Sequence, residues 1–176
     1  MRKFKLMILF LVPVLLLFMN SCGEKETALL VQSDSMYRSE SLEMLPEWEN
    51  YEIKGFSSGD TIYYKDFHED DATTENLKVG VVITFYSPAL KALNTHRIVY
   101  VHETENGKVD YVITQGDLRA QEQPFLVYGS KRAEGMTESE INKYNYQLET
   151  SLIIETVSVS NIRGIVIRVE YKSKNK

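Results

Sequence analysis

Hydrophobic and polar positions along this chain alternate with the period of a strand far more often than with that of a helix. Val79–Phe85 is an apolar, β-branched run of the kind found in buried strands. Arg97–Thr104 and Val109–Thr114 are two further β-rich runs flanking Asn106-Gly107, a strong short-range hairpin signal. Ala28–Gln32 and Thr61–Lys65 read as shorter strands, the second started by a turn at Ser58-Gly59-Asp60. Ser151–Ser160 and Ile162–Tyr171 read as a closing pair with a turn near Asn161. One helix is expected, opened by the Thr137-x-x-Glu140 capping box and running to about Leu148. His68–Asn76 reads as an acidic loop, and Ser33–Glu52 has no clean period. Many short strands with one helix predict a mainly β fold.

The N-terminus follows a different pattern. Arg2, Lys3 and Lys5 precede 14 apolar residues, Leu6–Met19, interrupted only by Pro13. Basic residues before an apolar run keep that end cytoplasmic and send the rest outward. The run is short for a spanning helix, which needs roughly 20 residues, and of ordinary length for a signal-peptide apolar region. Ser21-Cys22 then resembles a lipoprotein cleavage site, with Cys22 as the lipidation residue. A lipidated Cys22 and a retained membrane helix are both compatible with this pattern; a cleaved secretory signal is the plainer alternative. The expected organisation is an anchor at 1–22 and an extracytoplasmic β-rich domain at 23–176. Membrane lipid is therefore an expected partner.

Composition narrows the function classes. Residues 23–176 hold 17 basic and 25 acidic side chains, a net of −8. An acidic domain argues against a nucleic-acid partner, since phosphate contacts need clustered Lys and Arg. The lone Cys22 leaves no internal disulfide and no Cys-rich metal site, and three scattered histidines make zinc improbable. No cofactor is implied.

The hairpin carries the candidate chemistry. If Asn106-Gly107 is a two-residue turn, His102 faces Tyr111, Tyr100 faces Ile113 and His96 faces Asp117. Opposed residues share a sheet face, with Cβ atoms roughly 5 Å apart. A histidine beside a carboxylate is the arrangement of a general base held by an orienting acid. The plainer reading is an ion pair at the open end of a hairpin. His102 reads as a half-exposed strand residue and His68 as a solvated loop residue.

These segments resemble a known family. Leu77-Lys78-Val79-Gly80-Val81-Val82-Ile83-Thr84-Phe85, Thr95-His96-Arg97-Ile98-Val99 and Thr114-Gln115-Gly116-Asp117 are similar to signal peptidase I of the Ser–His type. Val31-Gln32-Ser33-Asp34-Ser35-Met36 resembles the segment in which the Ser before Met is the nucleophile. Gly59-Asp60 and Ile162–Val166 are similar to later parts of the same domain, so the resemblance spans about residues 28–170. It implies a signal-peptidase-like β-domain and a serine endopeptidase cleaving signal peptides of exported proteins. In that scheme Ser35 attacks the scissile carbonyl, His96 takes its proton and Asp117 orients His96. Of the serines preceding the His strand, only Ser35 joins a following Met to a β-rich approach. Residues from Tyr37 to Ser58 then leave the site as an excursion and return at Gly59. The alternative is a catalytically inactive, lipid-anchored binding protein of the same fold.

Overall fold

The structure, a computed structural model, describes residues 26–37 and 50–173. Seven strands form one antiparallel sheet: β1 (Glu26–Leu30), β2 (Thr61–Asp66), β3 (Val82–Ser87), β4 (Ala92–Glu103), β5 (Val109–Gln115), β6 (Ile154–Ser158) and β7 (Ile162–Glu170). Their order across the sheet is β1-β2-β7-β3-β4-β5-β6. The described residues also form two short α-helices, the unexpected α1 (Asp117–Glu122) and the expected α2 (Glu138–Thr150). The mainly β expectation holds, and every strand-like run in the sequence contributes to the sheet. The anchor region, including Cys22, lies outside the described residues, as does most of Arg38–Glu52.

Both faces of the sheet are covered, which a seven-stranded sheet needs when its strands are this apolar. One face buries Leu77, Ile83, Phe85, Ile98, Val112, Val157 and Ile162. The other packs Ile62, Val82 and Val166 against Met36 and Phe56. The sheet curls enough to bring the chain after β1 onto the end of β5, although these strands stand first and sixth in the order. The Leu118 N–H donates to the Ser35 carbonyl at 3.0 Å and closes that approach.

The hairpin register differs from the expectation near the site. Tyr100↔Ile113 and His102↔Tyr111 pair as the sequence suggests. The turn does not: Gly107 N–H donates to the Thr104 carbonyl at 2.9 Å, and only Gly107 takes positive φ, at 74°. This is a three-residue connection closed by a left-handed glycine, with Glu103 rather than Thr104 facing Val109. A second irregularity between Ile98 and Tyr100 shifts the ladder by one, so Ile98 faces Thr114 and Arg97 faces Gln115. A bulge inserts one residue, and one residue reverses the face of every side chain beyond it. The expected pairing of His96 with Asp117 is replaced by that shift.

Outside the site, α2 opens as its capping box predicts. The Glu140 N–H donates to Thr137 Oγ1 at 3.3 Å, and the Thr137 N–H donates back to Glu140 Oε2 at 2.8 Å. The acidic loop contains a single 3₁₀ turn at Glu69–Asp71.

Candidate active site

Ser35 sits in a tight turn, with the Tyr37 N–H donating to the Asp34 carbonyl at 2.9 Å. Three features fix that turn. Met36 is fully buried among Phe56, Ile62, Val82 and Val166, so the residue after Ser35 is a hydrophobic plug. The Phe56 N–H donates to the Met36 carbonyl, and the Ser58 N–H donates to Asp34 Oδ1 at 2.8 Å. Gly59 N–H returns to the Val31 carbonyl at 2.9 Å. The chain after Tyr37 therefore comes back alongside Val31–Met36, as the expected excursion requires.

Gly116 is where Ser35 and His96 converge. A Cβ at this glycine would stand 2.6 Å from the Ser35 carbonyl oxygen and 3.3 Å from His96 Nε2. Its φ of −72° is open to any residue, so it is the space, not the backbone, that demands glycine. The shifted register puts His96 opposite Gly116, and the missing side chain lets the Ser35 turn close over the imidazole edge. No hydrogen bond joins Ser35 Oγ to His96; the Ser35 hydroxyl pairs with Ser33 Oγ at 3.3 Å. Catalytic hydrogen bonds are often long before substrate arrives, so this spacing does not disqualify the pair.

His96 is 8% exposed, and its ring meets Phe85 edge-on at 6.1 Å between centroids. Its Nδ1 is buried with no hydrogen-bond partner among the described residues. Burial lowers the imidazole from 6.5 to about 4, against the opposing charges of Glu155 and, more weakly, Asp117. At neutral pH the ring is uncharged and free to accept a proton.

Asp117 is fully buried, but its carboxylate faces Arg97. Arg97 Nε donates to Oδ1 and Nη2 to Oδ2, each at 2.7 Å, a bidentate pair. The same guanidinium donates to the Gly80 carbonyl at 2.7 Å and the Ile53 carbonyl at 2.8 Å, and lies 4.8 Å from the Tyr51 ring centre. Arg97 is 2% exposed. Face parity explains this partition: His96 points to the Ile83 and Phe85 side, while its neighbour Arg97 and the residue after Gly116 point to the other. The orienting hydrogen bond expected from Asp117 to His96 is therefore not formed; what reaches His96 from Asp117 is charge.

One residue at this site, Glu155, escaped sequence reading. Ser33, one of the serines preceding the His strand, supplies the hydroxyl that pairs with Ser35. Glu155 lies in β6, where it looks like an ordinary outward strand carboxylate, and only the sheet order brings it across β5 toward His96. His102, by contrast, is a half-exposed strand residue as expected, stacked on Tyr111 and paired with Asp110 at 2.7 Å.

Beside Ser35 runs a groove of about 360 Å³. Leu29, Leu30, Val31 and Ser33 form one wall, and Ala92, Leu93, Asn94 and Thr95 the other. Both walls carry free strand edge. Among the described residues, β1 pairs with β2 alone, and β4 before Arg97 pairs with β3 alone. Comparison with protein-family models, with curated proteins and with solved structures finds no match for this chain.

Proposed function

We propose that the chain is a membrane-anchored serine endopeptidase that removes signal peptides from exported proteins. The observation that carries this reading is the meeting of the Ser35 turn and His96 Nε2 around Gly116, beside a groove with two free strand edges. An extended peptide added to those edges would gain main-chain hydrogen bonds along its length. An anchor ending a few residues before β1, as the sequence suggests, would hold the groove near the bilayer where signal peptides emerge and raise their local concentration.

The chemistry follows from the residues present. Neutral His96 takes the Ser35 hydroxyl proton through Nε2 as Ser35 Oγ attacks the scissile carbonyl carbon. The imidazolium returns that proton to the leaving amine as the peptide bond breaks. Water, deprotonated by His96, then hydrolyses the Ser35 ester and frees the enzyme. A serine hydroxyl is a poor nucleophile without such a base. Asp117 acts by charge, and by holding Arg97 it secures the strand end that carries His96.

Ser35→Ala should reduce cleavage of a co-expressed secretory precursor by on the order of 10³-fold or more. His96→Ala should do the same, and the double variant should be no worse than either single one, because the two act as a unit. A wild type that leaves the precursor uncut, or a Ser35→Ala variant that cuts at the wild-type rate, defeats the proposal. The second reading, an inactive lipid-anchored binding protein, then takes its place. The unpartnered Nδ1 of His96 favours that alternative, since a catalytic histidine ordinarily has its second nitrogen held.

A further inference from the structure

We propose that Glu155, rather than Asp117, is the carboxylate that positions His96 for proton transfer. This rests on the reading of His96 as the base.

Parity across three strands places the two side chains on one face. Ile98 faces Thr114, and Thr114 faces Glu155. His96 stands two residues from Ile98 and so shares that face, as does Asn94. The Glu155 carboxylate is carried across β5 and pinned there by two donors. Ser87 Oγ donates to Oε1, and Asn94 Nδ2 donates to Oε2 at 2.9 Å. Asn94 is the neighbour of His96 along β4, and its partner Phe85 packs edge-on against the His96 ring. Glu155 is thereby anchored at the edge of the pocket that encloses His96.

The alternatives are occupied. Both oxygens of Asp117 receive Arg97, whose side chain lies on the opposite face of the sheet from His96. The groups that face His96 are Phe85 from β3, Asn94 from its own strand, Gly116 beyond β5 and the Ser35 turn. Glu155 and Asp117 are the two charges that act on the ring, and Glu155 is the stronger. A buried Nδ1 without a partner is the atom such a carboxylate serves. When His96 takes the Ser35 proton, Nδ1–H becomes a cationic donor, and a short movement of the Glu155 carboxylate toward it would complete the bond. The Ser87 and Asn94 donors hold the Glu155 carboxylate in place for that movement.

The test uses the full-length protein in detergent, with ¹⁵N-labelled histidine. The His96 ring is assigned by its loss in His96→Gln and titrated by NMR. Glu155→Gln should lower the His96 midpoint by about half a pH unit or more, since a favourable charge has been removed. Cleavage of precursor at neutral pH should fall by about tenfold. Glu155→Asp, which keeps the charge, should retain most of the wild-type midpoint and guards against a folding defect. An unchanged His96 midpoint in Glu155→Gln overturns the proposal, as does undiminished cleavage. If wild type cleaves nothing yet Glu155→Gln still moves the His96 midpoint, the coupling of the two residues stands and the peptidase reading fails.

Discussion

At the residue scale, Arg97 and Asp117 separate stability from chemistry. Their guanidinium and carboxylate are 2% and 0% exposed and joined by two hydrogen bonds. Removing one partner of such a pair strands an uncompensated charge in the interior, at a cost of about 3–5 kcal/mol. Asp117→Ala should therefore lower the unfolding free energy from urea titration by that amount, with any loss of cleavage following from unfolding. Asp117→Ala that unfolds at the wild-type midpoint but does not cleave would assign the residue to the reaction instead. An Asp following Gly at the end of a strand is legible in the sequence as a feature of interest. Which of two adjacent residues, His96 or Arg97, it faces is a matter of pleat parity and was not legible.

At the scale of elements, the bulge near Val99 decides the site. The sequence predicts a hairpin here, and the hairpin forms; its middle, from Tyr100↔Ile113 to His102↔Tyr111, follows the register that the Asn-Gly turn suggests. The near half slips by one, so a glycine rather than a carboxylate stands opposite His96. That slip is what opens room for the Ser35 turn. Gly116→Ala tests this directly, because an added Cβ would lie 2.6 Å from the backbone oxygen of Ser35. The turn would have to move, and overpacking of this kind costs about 1–3 kcal/mol. Stability by thermal unfolding should fall in that range, and precursor cleavage should fall by more than about tenfold, since small misplacements of reacting groups are expensive. Wild-type cleavage in Gly116→Ala would show that the Ser35 turn need not approach His96 so closely.

At the scale of the whole molecule, the buried imidazole couples the fold to pH. His96 ionises near 6.5 when the chain is unfolded and at about 4 in the folded state. Between those values the unfolded chain binds the extra proton, so acid favours unfolding. The stability associated with neutral His96 is whole above about pH 6.5 and is lost as pH falls toward 4, amounting to about 3 kcal/mol. Urea midpoints measured at pH 7, 5.5 and 4.5 should drop more steeply for wild type than for His96→Gln. Parallel slopes for the two proteins would mean that the ring is not desolvated as the structure describes.

The sequence by itself determined the strands, the helix with its capping box, the hairpin turn region and the candidates Ser35, His96 and Asp117. Each of these is written in local chemistry: alternation of apolar side chains, Thr137 three residues before Glu140, glycine where φ must be positive. The return of the excursion at Gly59 was also legible; that it returns against Val31–Met36 was not. Only the tertiary structure decided the partners. The curl of the sheet brings Ser35 to Gly116, a one-residue bulge gives Asp117 to Arg97, and strand order carries Glu155 across β5 toward His96. These outcomes depend on parity and on neighbours 20 or more residues distant in the chain, and no local pattern of residues encodes either.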